Sequence, residues 1–320
     1  MLMKRIFITG SSGCIGHYMA EALIQETDHE LYFLVRNPEK LQFHYQSRPN
    51  VHLIIGDLQN LEKFSDFLKT VNVAILAATS WGGINESFEI NVTKTIGLMK
   101  LLDPEVCEQI IYFSTASILD QNNQPLPEAG TLGTNYIRTK YQCFTQLNNL
   151  PFYNKITTVF PTLVFGGEFN KPYSHLSGGI KDVIRWIDLI RWFKADGSFH
   201  YIHARDIAKI IKYLVENPPT ESENKNLVLG NQKTTVNEAI EKICDYLNKR
   251  IYFRIPLYIF LINFFIKAFR LRMEDWDYFS INYRHFTYKD TVTPATFGMD
   301  NYCTTIEDVM KLSGVYPQKN

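Results

Sequence analysis

A surplus of charge of either sign is missing from this sequence: Lys plus Arg number 33, Asp plus Glu number 33, and the formal net charge is zero. That balance removes the general electrostatic reason to expect a nucleic-acid partner. Cysteine is sparse and scattered. The five, Cys14, Cys107, Cys143, Cys244 and Cys303, include no C-x-x-C pair, which argues against a zinc knuckle, and no metal site is expected. Their odd count and spread fit a reducing compartment, so a cytoplasmic location is expected. No run of 18 apolar residues is free of charge, which argues against a conventional transmembrane helix. The opening MLMKRIFITG has too short an apolar stretch to read as a signal peptide. Internal repeats and low-complexity tracts are also lacking. What is present, 320 residues of which 45% are hydrophobic, allows one large domain or two modest ones around a substantial core.

Strand-like and helix-like segments alternate along the first half. Residues 4–9, ELYFLVR ending at Arg36, VHLIIGDL, VNVAILAAT, QIIYFSTAS and KITTVFPTLVFG read as strands. Residues 14–26, 61–69, 86–102 and 135–150 read as the helices between them. This alternation predicts an α/β fold with a doubly wound parallel sheet of the Rossmann type, covered on both faces. After Gly166 the order changes. Residues 180–193 read as a helix, and GSFHYIHARDIAKIIKYLV as a strand end running into a helix. TTVNEAIEKICDYLNK starts with Thr235 and Glu238 spaced as a capping box. The expected division is a dinucleotide-binding domain over 1–166, with elements from about 195–230 returning to it. Residues 167–320 mainly form a smaller C-terminal substrate-binding cap.

TGSSGCIG, between the first strand and the first helix, puts glycines at 10, 13 and 16. Gly10 permits a tight turn, Gly13 lets the backbone approach a pyrophosphate, and Gly16 allows close packing of helix on sheet. The helix from about Cys14 would offer its free N–H groups to phosphate. At the end of the second strand, where an adenosine ribose would lie, stands Arg36 instead of an acid. A guanidinium can pair with a 2′-phosphate, so NADP is favoured, with NAD as the alternative. Asp57 fits either recognition of the adenine amino group or a helix N-cap. Further along, NYIRTKYQCF places Tyr136 and Lys140 on one face of a helix. A phenol whose pKa is lowered by an ammonium beside it can exchange a carbinol proton while hydride leaves or reaches carbon.

With these motifs in their strand–turn–helix setting, the chain resembles the extended short-chain dehydrogenase/reductase family, the NAD-dependent epimerases and dehydratases, over roughly residues 4–215. The resemblance implies cofactor contacts from Gly10, Ser11, Ser12, Gly13, Cys14, Ile15 and Gly16, from Asp57 and Leu58, and from Ala77, Ala78 and Thr79 of the segment AATS. It also implies cofactor contacts from Tyr136, Lys140 and Pro161, and matches Asn91 to a structural asparagine beside that region. The catalytic trio implied is Thr115, Tyr136 and Lys140, with Ser114 the fallback for Thr115. Where the family usually has tyrosine and glycine this chain has Leu119 and Asp120, which weakens the case for a nucleotide-sugar substrate. Dehydratases usually carry an acidic pair just after the catalytic threonine, and here Ala116 and Ser117 follow. In YIHARDIAK, His203 reads as a packed core histidine or a substrate contact, and Asp206 as an organiser of the helix start. Homodimers through helices including Tyr136–Lys140 are also implied.

IYFRIPLYIFLINFFIKAFRLRM, residues 251–273, carries Arg254, Lys267, Arg270 and Arg272 and no acid. It reads either as a cap helix over an apolar cavity or subunit contact, or, through 256–272, as a helix resting on a membrane. The leading expectation is an NADP-linked oxidoreductase acting on a secondary alcohol or carbonyl of a small molecule. A nucleotide-sugar epimerase with recycled cofactor is the second reading. A non-enzymatic dinucleotide-binding regulator is the third.

Overall fold

The computed structural model describes residues 3–168, 170–220, 225–268, 270 and 272–317. Seven parallel strands make the main sheet: β1 (Arg5–Thr9), β2 (Glu30–Val35), β3 (Val51–Ile55), β4 (Val73–Leu76), β5 (Gln109–Phe113), β6 (Ile156–Pro161) and β7 (Asn226–Leu229). Their order is β7-β6-β5-β4-β1-β2-β3, the doubly wound arrangement. The winding direction reverses between β1 and β4, and a crevice opens beyond their carboxyl ends.

Both faces of the sheet are buried, which is why its strands read as continuous apolar runs. Alternate residues of β1 serve opposite layers. Ile6 and Ile8 pack with α1 (Cys14–Glu26) and α6 (Ala204–Glu216) through Met19, Leu23, Ile207 and Ile211. Phe7 faces the other way, toward Leu98, Met99, Cys143 and Leu147. Those residues come from α3 (Thr95–Leu101), from α4 (Asn135–Gln146) and from the turn that follows it.

Two helices differ from the sequence pattern. The stretch expected as one helix over 86–102 begins earlier, as α2 (Ile84–Phe88), and passes through a π-helical segment (Glu89–Lys94) before α3. The segment expected as a helix over 61–69 is a 3-10 stretch, Leu58–Phe64, kinked at Asn60 and followed by one turn, Ser65–Leu68.

The smaller layer is built from α5 (His175–Ile190), α7 (Val236–Tyr246) and α9 (Ile306–Leu312), with Ile180, Ile187, Ile240, Ile243, Val309 and Met310 in its core. α5 starts five residues before its expected position because Ser174 caps it, its hydroxyl accepting from Ser177 N at 3.1 Å. The Thr235–Glu238 capping box is present at the start of α7. Asp206 is buried in α6, but His203 caps that helix. Asp206 instead accepts from Tyr302 N at 2.6 Å and Cys303 N at 3.0 Å, tying a distant segment to the first layer.

The expectation of a membrane association through 256–272 does not stand. α8 (Ile259–Ala268) is only ten residues long, and among the described residues no helix is long and apolar enough to cross a membrane. The basic arm is also not without acids in space. Arg254 pairs with Glu241 of α7 at 2.8 Å, so this cation is neutralised inside the protein.

Candidate active site

The glycine turn closes over the switch point of the sheet. Gly10 has a φ of +80°, and a Cβ there would stand 2.6 Å from the Ala77 carbonyl carbon and 2.7 Å from Ala78 N. A side chain at Gly10 would therefore separate β1 from the segment after β4. A Cβ on Gly16 would fall 2.1 Å from the Gly10 carbonyl oxygen, so α1 can approach the turn only with glycine there. Gly13 is different. A Cβ there would meet only the Gly10 oxygen, at 3.5 Å; Ser12 and Gly13 are exposed. Gly13 caps α1 without a side chain, and the first turn holds no acid. Its N–H groups and positive dipole end are left for an anion. Ser11 is buried there, and its Oγ has no protein partner.

Cys14 is a packing residue. Its sulfur lies where a Gly166 side chain would go, and burial pushes its thiol up to about 12. Ile15 is half-buried against the core. His17 was not singled out by the sequence, although it stands four residues after Gly13, the spacing of one helical turn. Its Nδ1 bonds the Gly13 carbonyl at 2.9 Å, and its Nε2 accepts from Gln42 N at 3.2 Å, which fixes the turn from behind.

The segment after β4 is held from both sides. Ala78 N donates to Thr9 Oγ1 at 3.2 Å. Asn91, fully buried in the π-helical segment, accepts from Ser80 N at 2.8 Å and Thr79 Oγ1 at 2.9 Å. Its amide donates to the Ser80 carbonyl at 2.9 Å and Thr139 Oγ1 at 3.0 Å. The side chain thus spends its hydrogen-bonding capacity on protein and acts as a clamp beneath the loop. Asn91→Ala is expected to cost about 2 kcal/mol by leaving buried backbone groups of Ser80 unpaired; urea unfolding followed by circular dichroism checks this.

Arg36 and Asp57 face each other at the ends of β2 and β3. The guanidinium, 78% exposed, lies 3.8 Å from Asp57 Oδ2. The other Asp57 oxygen caps the following 3-10 helix by accepting from Gln59 N at 3.1 Å, and Leu58 is buried behind it. Pro161 is buried at the end of β6, paired with Leu229 of β7.

Thr115, Tyr136 and Lys140 come together beyond β5. Thr134 caps α4, its hydroxyl accepting from Ile137 N at 3.3 Å, and the helix carries Tyr136 and Lys140 on the face turned to the sheet. The Tyr136 hydroxyl is within hydrogen-bonding reach of Thr115. Thr115 Oγ1 also accepts from Ser117 N at 3.3 Å. Ser114 lies instead beside Tyr112, on the other face of the strand end. Lys140, 2% exposed, donates to the Phe113 carbonyl at 2.7 Å. Burial lowers its ammonium to about 8 and raises the Tyr136 phenol to about 12. The expectation that the ammonium depresses the phenol is therefore not met. Nζ lies 6.0 Å from the Tyr136 ring centre, and desolvation outweighs its attraction.

A second aromatic residue stands at this point. The indole of Trp81 stacks on the Tyr136 ring, with centroids 3.8 Å apart and planes 11° from parallel. Nothing in the sequence spacing marked it, because the contact joins two separate units of the α/β alternation. His203 is a core residue, 2% exposed, whose Nδ1 accepts from Arg205 N at 3.1 Å; burial lowers it to about 4.

Residues 6–230 match the NAD dependent epimerase/dehydratase family. By sequence, no curated protein matches the chain. Among solved structures, the chain is similar to UDP-N-acetylglucosamine 4-epimerase from Methanobrevibacter ruminantium, solved with UDP-N-acetylmuramic acid (17% identity, TM-score 0.64, 98% of each chain covered). It is similar to dTDP-glucose 4,6-dehydratase from Bacillus anthracis in complex with NAD (14%, TM-score 0.64, 98% of this chain and 96% of the other). It is also similar to WbmG from Bordetella bronchiseptica in complex with NAD (13%, TM-score 0.65, 98% and 94%).

The expectation of NADP is overturned by the similar structures solved with a dinucleotide, which is NAD in the dehydratase from Bacillus anthracis and in WbmG. The structure supplies the physical reason. Arg36 is set beside the Asp57 carboxylate, which repels the 2′-phosphate that Arg36 was expected to attract. A non-enzymatic regulator is also set aside, because the family is one of catalysts. From its fold and its match over residues 6–230, the chain belongs to the NAD dependent epimerase/dehydratase family, whose chemistry is NAD-dependent oxidoreduction.

Proposed function

We propose that this chain is an NAD-dependent epimerase acting on a nucleotide sugar, with the cofactor recycled within each turnover. The observation that carries this reading is the meeting of the Thr115 and Tyr136 hydroxyls beside buried Lys140, with Ala116 and Ser117 where a dehydratase would carry acids. Without an acid there, β-elimination of water has no proton donor at that position, whereas removal and return of hydride needs none. The nucleotide-sugar enzymes among similar structures support the substrate class.

In this proposal NAD lies along the glycine turn. Gly10 through Gly16 receive the pyrophosphate at the open backbone of Ser12 and Gly13 and at the α1 N-terminus. Asp57 and Leu58 border the adenine. Ala77, Ala78 and Thr79 form the bed held in place by Asn91, and Pro161 borders the nicotinamide end. Bound NAD supplies the hydride acceptor and returns the hydride. Tyr136, once ionised, would take the carbinol proton on Oη as hydride leaves, and would give it back when hydride returns to the opposite face. Thr115 Oγ1 donates to the same substrate oxygen. Lys140 is fixed by its bond to the Phe113 carbonyl, and its remaining N–H donors would be available to the cofactor ribose. Residues 1–166 with 195–230 form the cofactor domain, and the remainder mainly the substrate cap.

The test is incubation of the purified protein with UDP- and dTDP-hexoses, followed by nuclear magnetic resonance of the sugar. The expected result is an epimer without net NADH; accumulated NADH or loss of water would sink the reading. Arg36→Ala is a separate check on the cofactor. NADH is expected to bind the wild type at least tenfold more tightly than NADPH, about 1.4 kcal/mol, and the variant is expected to retain NADH binding. Fluorescence titration of both cofactors measures it, and a wild-type preference for NADPH would contradict the assignment.

A further inference from the structure

We infer that Trp81 is the positioning residue of Tyr136, its indole holding the phenol flat against the protein so that the hydroxyl stays aimed at Thr115. This inference rests on the role proposed for Tyr136. Tyr136 packs against the cluster containing Ala116, Ile118 and Ile137. The indole of Trp81 lies across the ring at 3.8 Å and 11°. A ring stacked on an anchored surface resists the tilt and sideways swing that would move its hydroxyl, and the same tight packing slows its turning about its own axis.

The indole is itself well anchored. Both neighbours of Trp81 have their backbone groups tied down. Ser80 N and O are held by Asn91, Gly82 N donates to Ser80 Oγ at 3.1 Å, and Ser87 Oγ donates to the Gly82 carbonyl at 2.9 Å. Ser80 Oγ donates in turn to Glu86 at 2.8 Å. A large aromatic residue that is 58% exposed would ordinarily sample several orientations, but here the backbone on both sides is fixed. Its outer edge meets His175, the first residue of α5, with centroids 4.9 Å apart. Trp81 therefore spans the seam between the smaller layer and the phenol. The Tyr136 hydroxyl lies near Thr115, and the stacked indole restrains the ring that carries it.

The inference is tested with Trp81→Ala, Trp81→Leu and Trp81→Phe, each prepared with 3-fluorotyrosine. The Tyr136 fluorine signal is identified by its loss in Tyr136→Phe. In the wild type and Trp81→Phe the two ring orientations of Tyr136 are expected as separate signals. In Trp81→Ala and Trp81→Leu they are expected to merge. Kinetically, Ala and Leu are expected to lower kcat about tenfold with KM unchanged, and Phe to restore most of it. A ring signal that is unchanged in Ala and Leu overturns the inference. So does a rise in KM alone, which would make Trp81 a substrate contact. The fluorine measurement needs no turnover. Failure to epimerise nucleotide sugars, with ring signals behaving as described, strikes the proposed function and leaves Trp81 as the restraint on the ring.

Discussion

Tyr136→Phe is expected to lower turnover by about a hundredfold to ten-thousandfold, the range for loss of a positioned proton donor and acceptor. The substitution removes one oxygen and keeps the ring between Trp81 and the cluster around Ala116 and Ile118. NAD binding and thermal stability should therefore stay close to wild type, so that the whole loss falls on the chemical step. The phenol's rise to about 12 gives the direction of the pH dependence. At neutral pH Tyr136 is protonated, so the step that takes up the carbinol proton becomes easier as pH rises. Initial rates in Tyr136→Phe and wild type between pH 6 and 10 provide the check; turnover within about threefold of wild type across the range would place the proton elsewhere.

Lys140→Met should separate activity from stability in opposite directions. Turnover is expected to fall by about a hundredfold or more with loss of the fixed cation, while the folded state gains stability. An ammonium held where its pKa has dropped from 10.5 to about 8 costs on the order of 3 kcal/mol. Losing the bond to the Phe113 carbonyl returns part of that, leaving a gain of about 1–2 kcal/mol at pH 7. The sign follows from proton counting. Below about pH 8 the folded chain carries the charged amine and the full penalty. Between about 8 and 10.5 the folded state gives up the proton while the unfolded chain keeps it, so wild-type stability rises with pH across that window. In Lys140→Met this contribution to the slope should vanish. Denaturant unfolding at pH 7, 9 and 10.5 measures both terms, and a variant less stable than wild type at pH 7 would contradict the burial argument. Functional sites are where such a cost is expected to persist.

These effects show which parts of the site could be read in the sequence. The glycine turn was legible because its constraint is local: Gly10 and Gly16 are required by backbone contacts within one strand–turn–helix unit. Tyr136 and Lys140 were legible because four-residue spacing on a helix is also local. The failures involve contacts between units. Arg36 was read alone, and its partner Asp57 comes from the next strand. The depressing effect of Lys140 on Tyr136 was inferred from proximity, but burial, which depends on the whole fold, decided the direction. Trp81 and His17 carried no periodic signal, since each acts on a residue through a packed contact. Helix starts followed the same division. The box at Thr235 was visible in four residues, whereas α5 was placed late because its first turn, His175–Gly178, looks like loop composition until the Ser174 cap is seen.

β7 has a consequence for how the chain is made. It completes the sheet by pairing with β6, yet about 65 residues separate the end of β6 from the start of β7. At synthesis rates of about 5–20 residues per second, a ribosome leaves the β6 edge unpaired for roughly 3–13 seconds. The anchor of Asp206 on Tyr302 and Cys303 comes later still. The cofactor layer therefore stays open over that interval, and its nascent form presents a bare, apolar parallel edge of the kind that pairs with other chains. Expression yield should consequently depend on elongation speed and chaperone supply more strongly than the stability of the finished protein would suggest.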